Sequence, residues 1–149
     1  MNTVSRLFDI PYHQLKNYPQ PGMFFSKKEG NWVGISTKEF LERSMQLSIG
    51  LMEAGVEPGD RIAVASTNRL EWNILDIAVQ QIGAVLVPLY PTISSKDYCF
   101  ILNDCEAKFM FVGNQEIADK ILAVKGELKA LKGTFAFDDV SGVEPWDTF

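Results

Sequence analysis

The spacing of apolar residues changes along the chain. From Arg61 onward, short runs that are almost entirely apolar alternate with segments whose apolar residues recur every three or four positions. The first pattern is typical of strands buried on both faces, and the second of helices with one buried face. The predicted strands are RIAVAS, AVLVP, KFMFV and TFAF. Their alternation with helices predicts an α/β fold with a wound, mostly parallel sheet and right-handed crossovers.

Start and stop signals support the helices of this region. Asn68 has the capping-box partner Glu71 three residues later, and Gly83 ends the helix that they open. Ser94 and Asp97 repeat the spacing at the next helix. The predicted buried stripes are Trp72, Leu75, Val79 and Ile82 in the first helix, Tyr98, Ile101, Leu102 and Cys105 in the second, and Ile117, Ile121, Val124, Leu128 and Leu131 in a long third helix.

The preceding part of the chain reads as a β-hairpin followed by a helix. Two apolar stretches flank a Gly30-Asn31 turn signal, which predicts the hairpin over residues 23–35. Ser36 and Glu39 have capping-box spacing, and Gly55 followed by Pro58 ends the helix. Its predicted buried stripe is Leu41, Met45, Ser48 and Met52, flanked by Phe40, Leu47 and Leu51.

These elements predict one α/β domain over residues 1–149. Residues 1–22 form an irregular lead segment, since Pro11, Pro19 and Pro21 interrupt any helix of useful length. The hairpin follows, then an alternating helix and strand layer over residues 36–137, and a tail over residues 138–149. A chain of 149 residues with 46% hydrophobic residues is long and apolar enough for one buried core.

Charge and cysteine content exclude several classes of function. The net charge of −5 and the lack of a basic stripe argue against nucleic-acid binding and against docking on an anionic membrane. Cys99 and Cys105 are six positions apart on one predicted helix, too far to bridge, which indicates reduced, buried thiols. No apolar run resembles a signal peptide or a transmembrane helix. The sequence therefore predicts a soluble, cytoplasmic protein.

A phosphate-binding motif would lie in the loops after the predicted strands, because α/β sheets bind ligands at the carboxyl ends of their strands. The segments TNRLEW, LYPTISS and GNQEIA match neither G-x-G-x-x-G nor G-x-x-x-x-G-K-[ST]. Glycine-poor loops give a phosphate little access to the backbone. A nucleotide-binding module in its own right is therefore disfavoured.

Few residues are candidates for chemistry. His13, the one histidine, lies in the proline-rich lead segment and is interpreted as a surface or packing residue. Asp138 and Asp139 follow the last strand, where an acidic pair could hold a metal ion, but a solvated turn is the simpler interpretation. Asn68 is interpreted as a helix cap. The aromatic residues Trp72 and Tyr90 are interpreted as core and rim positions.

Four segments of the sequence carry a family resemblance. They are GNWVGISTKEF, LMEAGVEPGDRIAVASTNRLEW, DIAVQQIGAVLVPLYPTIS and YCFILNDCEAKFMFVGN. Together they resemble the N-terminal region of the adenylate-forming acyl-CoA synthetases, and within these most closely the bacterial long-chain fatty acid–CoA ligases. The Gly-Val-x-x-Gly-Asp-Arg turn is shared across the superfamily, whereas NRLEW and VPLYPTIS are typical of the long-chain branch. Thr37 departs from the aromatic residue that the family usually has there.

The resemblance implies a parent enzyme that activates a fatty acid with ATP and Mg²⁺ and transfers the acyl group to CoA. The family's phosphate loop, adenine-binding segment, ribose-binding Asp and catalytic Lys have no counterpart up to Phe149. No catalytic, cofactor-binding or metal-binding residue is therefore assigned, and the chain alone is expected to be inactive. Peripheral attachment of the parent to the inner face of the membrane stays open.

Alternatives to a long-chain ligase also stay open. One alternative is a related ligase for an aromatic or short-chain acid, which would have the same helix and strand layer. Another is a standalone binding or assembly module built on that layer. The remainder of a ligase is the expected partner. Without that remainder an apolar face, including Trp146 and Phe149, is expected to be exposed to water, and we therefore predict self-association. The opposing expectation is that the net charge and a self-covering tail keep the chain monomeric.

Overall fold

The computed structural model describes residues 4–28 and 30–149. The strands are β1 Phe24–Lys28, β2 Asn31–Ile35, β3 Arg61–Ala65, β4 Val85–Leu89, β5 Phe109–Val112, β6 Gly133–Ala136 and β7 Glu144–Pro145. The helices are α1 Asp9–Asn17, α2 Thr37–Glu53, α3 Leu70–Gln81, α4 Ser95–Asp104 and α5 Gln115–Leu122, with short 3₁₀ turns at Lys125–Glu127 and Trp146–Thr148.

Five strands form one parallel sheet in the order β4-β3-β5-β6-β7, and β1 and β2 form a separate antiparallel hairpin. The sequence-based prediction of a wound parallel sheet preceded by a hairpin is confirmed. The pattern did not predict β7, which is two residues long and begins with an exposed Glu144. A strand this short carries too few apolar positions to show a period.

Alternate residues of the central strand β3 point into two different cores. Ile62 and Val64 pack in a core with α2 and α3, whereas Ala63 and Ala65 pack in a core with α4 and α5. Every residue of β5 is buried, as the apolar run predicted. The sheet is therefore a middle layer with helices on both sides. Among the described residues, no helix is long and apolar enough to cross a membrane.

Glycines end α2 and α3, as the sequence predicted. Gly55 and Gly83 have φ angles of 83° and 73°, a left-handed conformation that glycine adopts without steric cost. After α2, the amides of Gly55 and Val56 donate to the carbonyls of Met52 and Leu51, which is a Schellman motif. The backbone thus turns sharply from each helix toward the next strand.

The lead segment is not irregular, contrary to the sequence-based prediction, because residues 9–17 form α1. Pro11 is the third residue of this helix, in the first turn, where its missing N–H has no intrahelical acceptor to lose. Its side chain is buried in the packed helix. Proline breaks a helix in its interior but not in its first turn, which is why Pro11 is compatible with α1. The first three residues lie outside the described part of the chain.

The buried face of α2 also differs from the predicted stripe. Met45 and Met52 are about half exposed, whereas Ser44 is fully buried. The Ser48 hydroxyl lies 3.0 Å from the Ala78 carbonyl of α3, so α2 approaches α3 along small residues. A contact face centred on serines cannot be recognised from apolar spacing alone.

The predicted long helix over residues 117–131 is wrong, since α5 ends at Leu122. Val124, Leu128 and Leu131 nevertheless pack against the α4–α5 core. Val124 and Leu128 flank a 3₁₀ turn, and Leu131 lies in irregular chain. Burial of the apolar positions was predicted correctly, while the backbone conformation that achieves it was not.

The tail folds back onto the sheet instead of leaving an apolar surface. Phe149 packs between β6 and α2, with its ring centroid 4.5 Å from that of Phe135. Trp146 makes an edge contact with Phe137, at 5.5 Å between centroids. Of the two tail expectations, the self-covering one describes the structure.

Candidate functional site

Arg69 joins the carboxyl ends of three strands, the edge at which α/β sheets usually bind ligands. It follows β3, and its Nη1 atom donates to the Gly113 carbonyl after β5 at 3.1 Å and to Asp138 after β6 at 2.9 Å. Its Nε atom donates to Glu71 on α3 at 2.8 Å. Its guanidinium also lies over the Phe137 ring, 5.2 Å from the centroid. One side chain therefore fixes the geometry of this edge.

The surroundings of Arg69 favour its charged, protonated form. Burial disfavours the charged guanidinium, but hydrogen bonds to Glu71 and Asp138 outweigh this effect, so the pKa of Arg69 lies above its ordinary value. Two carboxylates compensate one cation that is largely removed from water. The role of Arg69 was not predicted from the sequence, because two of its partners, Gly113 and Asp138, are 44 and 69 positions away.

Asn68 does not cap α3, so the sequence-based interpretation of this residue is wrong. The helix begins one residue later, with Arg69 in an extended conformation at the N-cap and without a side-chain cap bond. Asn73 instead donates its side-chain amide to the Arg69 carbonyl at 2.9 Å. Asn68 is exposed and lines a groove. The contacts of Arg69 thus set the start of α3.

The groove lies between the hairpin and the loop that precedes α3, and we call it the hairpin groove. Its volume is about 630 Å³. The hairpin wall carries the aromatic residues Phe24, Phe25 and Trp32, and the loop wall carries polar groups from Thr67 and Asn68. The combination of aromatic walls with a few polar groups is typical of binding sites.

The remaining candidates from the sequence lie apart from one another. His13 is exposed on α1, and Asp139 is exposed beyond β6. Tyr90 is exposed at the rim after β4, as expected, whereas Trp72 is only partly buried against the α2–α3 core. Asp138 is exposed in a bend after β6, as expected, and its carboxylate also pairs with Arg69. The structure does not bring these residues together into a catalytic group.

The two cysteines are free and half-buried, less buried than predicted. Cys105 follows the last turn of α4, and its thiol lies 3.8 Å from the Leu102 carbonyl. Burial raises the pKa of the Cys105 thiol, which disfavours the reactive thiolate. The geometry fits a packing role for this residue.

The absence of a nucleotide or metal site in this chain stays a prediction. Arg69, a cation at the carboxyl edge, is already paired with Glu71 and Asp138. Within residues 4–28 and 30–149, no three His, Cys, Asp or Glu side chains form a metal-binding group. We therefore assign no step of ATP chemistry to this part of the chain.

The Gly-Asp-Arg turn lies at the opposite, amino end of the sheet. Lys108 before β5 donates to both the Asp60 carboxylate and the Gly55 carbonyl. Arg61 donates to the Cys105 carbonyl at 2.6 Å and to Glu106 at 2.8 Å. This shared motif therefore ties the ends of α2 and α4 to the starts of β3 and β5, which is a structural role.

Comparisons with known proteins identify the family of the chain. The family model for the AMP-binding enzyme matches residues 12–147. The chain belongs to the AMP-binding enzyme family. Long-chain-fatty-acid–CoA ligase FadD15 of Mycobacterium tuberculosis is 34% identical over 104 residues, as is its counterpart in Mycobacterium bovis. The match covers 70% of this chain but 17% of each relative, so the chain spans about a sixth of their length.

More distant members of the AMP-binding family match over more of the chain. Long-chain-fatty-acid–CoA ligase ACSBG2 of Xenopus laevis is 27% identical over 137 residues, which is 92% of this chain and 18% of that protein. A solved structure assigned as a long-chain-fatty-acid CoA ligase of Rhodopseudomonas palustris superposes with a TM-score of 0.82 at 27% identity. The superposition covers 97% of the present chain and 36% of the solved one.

A second solved structure extends the fold beyond fatty acid enzymes. Anthranilate CoA ligase AuaEII, in complex with anthranoyl-AMP, superposes with a TM-score of 0.82 over 95% of this chain and 26% of its own. At 20% identity the similarity shows the fold alone. The α/β layer of this chain thus has the same fold as the corresponding part of that structure.

Proposed function

We propose that the 149 residues form the N-terminal layer of a long-chain fatty acid–CoA ligase. The similarity to the two mycobacterial FadD15 ligases carries this proposal, since both are 34% identical over 104 residues and are long-chain fatty acid ligases by name. The segments NRLEW and VPLYPTIS, which resemble the long-chain branch, support it.

The whole ligase would join a fatty acid to CoA in two displacements. A carboxylate oxygen bonds to the α-phosphorus of ATP, and pyrophosphate leaves with the electrons of the broken P–O bond. The CoA sulfur then bonds to the acyl carbon and loses its proton, while AMP leaves. Mg²⁺ would neutralise phosphate charge. We assign no catalytic residue to this part of the chain, and its proposed part is to support the site.

The support can be described in terms of specific contacts. Arg69 ties together the loops after β3, β5 and β6, and Lys108 ties the opposite end of the same sheet. Fixed strand ends would give later catalytic segments a rigid surface on which to pack, and precise positioning is a large part of catalysis. The 149-residue chain alone is then inactive.

An assay of two proteins tests this proposal. The purified 149-residue chain, incubated with ATP, Mg²⁺, CoA and palmitate, is expected to release no AMP above a blank. A longer gene product that contains these residues is expected to form palmitoyl-CoA. Release of AMP that copurifies with the 149-residue chain would contradict the inactive assignment, and a longer product without ligase activity would contradict the parent function.

A ligase for a different carboxylic acid is the second candidate, favoured by the shared fold with anthranilate CoA ligase. Palmitate, octanoate, anthranilate and acetate compared at equal concentration on the longer product would separate the two. The long-chain proposal expects the highest kcat/KM for palmitate. A preference for anthranilate or acetate favours the second candidate, and no activity with any acid favours a non-catalytic module.

A further inference from the structure

The strand order creates a crevice at the carboxyl edge of the sheet. The chain passes from β3 to β4 on one side and then crosses back over β3 to β5 on the other side. The helix after β3 packs on the face that carries α2, whereas the helix after β5 packs on the face that carries α4. The two loops therefore leave toward opposite faces, and such a switch point is where open α/β sheets bind ligands. We call the space between these loops, residues 66–69 and 113–114, the switch-point crevice.

The two loops are held in contact where the strands end. The Gly113 amide donates to the Ala65 carbonyl at 2.9 Å, which continues the ladder one residue beyond β5. A Cβ built at Gly113 would lie 2.6 Å from the Ser66 hydroxyl oxygen and 3.0 Å from the Ser66 Cβ. A side chain at position 113 would clash with the loop after β3. Glycine is therefore required for the close approach of the two loops that border the crevice.

The Arg69 guanidinium lies across the switch-point crevice. Its Nη1 atom donates to the Gly113 carbonyl on the opposite loop at 3.1 Å and to Asp138 beyond β6 at 2.9 Å. Its Nε atom donates to Glu71 at 2.8 Å, and its central carbon lies over the Phe137 ring, 5.2 Å from the centroid. A carbonyl, two carboxylates and an aromatic face thus surround one planar cation.

This set of partners matches the chemistry of a guanidinium ion. A guanidinium is planar, presents its N–H donors in a fixed fork and stacks on aromatic rings, whereas an ammonium ion is a compact point charge. The Arg69 side chain is 22% exposed, so these contacts replace most of its hydration. The crevice contributes two carboxylates, those of Glu71 and Asp138, which attract a cation and repel an anion such as phosphate.

We infer that the switch-point crevice is a guanidinium-binding site, and that in this chain the side chain of Arg69 is the ligand that occupies it. A variant that lacks this side chain should bind a free alkylguanidinium ion from solution. The inference does not rest on the proposed function, because every contact that it uses lies within the 149-residue chain.

Ethylguanidinium added to Arg69→Ala tests the site, because this ion carries the atoms that alanine lacks. The variant is expected to melt below the unmodified chain and to regain about 3–6 °C when ethylguanidinium reaches about ten times its Kd. Isothermal titration calorimetry should show saturable binding in the millimolar range, below the concentrations at which guanidinium ions denature proteins. No binding to Arg69→Ala would overturn the inference.

Arg43→Ala is the matched control. Arg43 on α2 contacts the Glu39 carboxylate and is about half exposed, so its removal leaves no enclosed site. Ethylguanidinium should raise the Tm of neither Arg43→Ala nor the unmodified chain, and an equal rise in either would show a general solvent effect and overturn the site. Ethylammonium, which has the same alkyl group without the fork, should not stabilise Arg69→Ala. An equal rise with ethylammonium would overturn the specificity for guanidinium.

A second variant locates the bound ion. Arg69→Ala combined with Asp138→Asn lacks one carboxylate of the crevice, so its affinity for ethylguanidinium should fall about threefold to tenfold. Unchanged affinity would place the ion elsewhere and overturn the assignment. Where Arg69→Ala alone is unfolded, recovery of its folded circular-dichroism spectrum on addition of ethylguanidinium supports the site, and failure to recover overturns it.

Discussion

Two asparagines, Asn68 and Asn114, follow neighbouring strands and precede helices, yet only Asn114 caps its helix. The Asn114 side chain accepts a hydrogen bond from the Ile117 amide at 3.1 Å. At Asn68 the equivalent position has moved to Arg69, whose side chain reaches across to β5 and β6. Capping-box spacing predicted a cap at Asn68 because the spacing depends only on local sequence. The long-range contacts of Arg69 instead determine where α3 begins.

The same substitution at both positions tests this difference. Asn114→Ala is expected to lower the free energy of unfolding by about 0.5–2 kcal/mol, because the α5 amide loses its acceptor. Asn68→Ala serves as the matched control and should change it by less than about 0.5 kcal/mol, as at other exposed positions. Urea unfolding measures both. A larger loss at Asn68 would mean that its amide makes a contact that the structure does not show.

Asp60 contributes stability that depends on pH. The hydrogen bond from Lys108, followed by that from the Glu57 amide, holds the pKa of Asp60 below its ordinary value. Because the folded-state pKa is the lower one, the contribution is complete above the unfolded pKa of about 4 and is lost as pH falls through the folded pKa. Asp60→Asn should therefore lower the free energy of unfolding by about 1.5–3 kcal/mol at pH 7, and by progressively less below about pH 4.

Thermal melts of the Asp60→Asn variant between pH 7 and pH 3 measure this dependence. Asp139→Asn, the same change at an exposed carboxylate beyond β6, is the control and should stay close to the unmodified chain throughout. A destabilisation by Asp60→Asn that is constant over this range would mean that the charge of Asp60 does not stabilise the fold.

At the scale of elements, Asn103 of α4 explains why α5 is shorter than its apolar stripe. Its side-chain amide donates to the Glu127 carbonyl at 3.0 Å, and its side-chain oxygen accepts from the Lys129 amide at 3.0 Å. These bonds satisfy backbone groups that a longer helix would pair internally. The Asn103 side chain therefore stabilises the non-helical backbone after α5, while the hydrophobic pattern indicates which side chains of this segment are buried.

The edge strands of the sheet are protected against pairing. In β4 the Val85 amide donates toward β3, so by alternation Leu86 and Pro88 face the open edge. Pro88 has no N–H to offer, and the opposite edge strand β7 has only two residues. The two edge strands are therefore poor sites for pairing with a second chain.

The contact between α2 and the tail can be tested at Gly50. Alanine in the interior of a helix is normally about 1 kcal/mol more favourable than glycine. At Gly50 a Cβ would lie 2.7 Å from the Phe149 carbonyl oxygen and 2.8 Å from its Cβ. We expect Gly50→Ala to destabilise the chain, because backbone atoms of the tail must move.

Truncation after Pro145 provides the internal control for this change. Without Trp146–Phe149 the space beside Gly50 is open, so the same Gly50→Ala substitution should become stabilising by up to about 1 kcal/mol. Differential scanning calorimetry of the four proteins gives the coupling between the two changes. A stabilising effect in both backgrounds would show that the tail does not pack on α2 in solution.

At the scale of the whole molecule, the sequence predicted the architecture better than the site. Apolar runs and caps identify elements because each depends on neighbours in sequence, which is why the parallel sheet and hairpin were predicted. Arg69 and Phe149 were not identified as structural contacts, because their partners are defined only once the strands are side by side. The absence of assigned catalytic residues in this chain remains a prediction.

Self-association of the 149-residue chain also remains a prediction, but the structure changes the surface involved. Trp146 and Phe149 pack against the core, and both edges of the five-stranded sheet are protected. Among the described residues we assign association to the hairpin face, where Phe25 and Trp32 are 60% and 71% exposed. We expect sedimentation equilibrium to show an average mass that rises above 16.7 kDa with concentration.

Trp32→Lys tests whether that association uses the hairpin face. A charge placed beside Lys27 should repel a second copy and return the mass to that of the monomer, whereas Phe100→Lys, with the same charge change on α4, should leave association unchanged. Higher salt should partly restore association of Trp32→Lys, since it screens the added repulsion. If the unmodified chain stays monomeric at every concentration, its net charge of −5 outweighs the exposed aromatics.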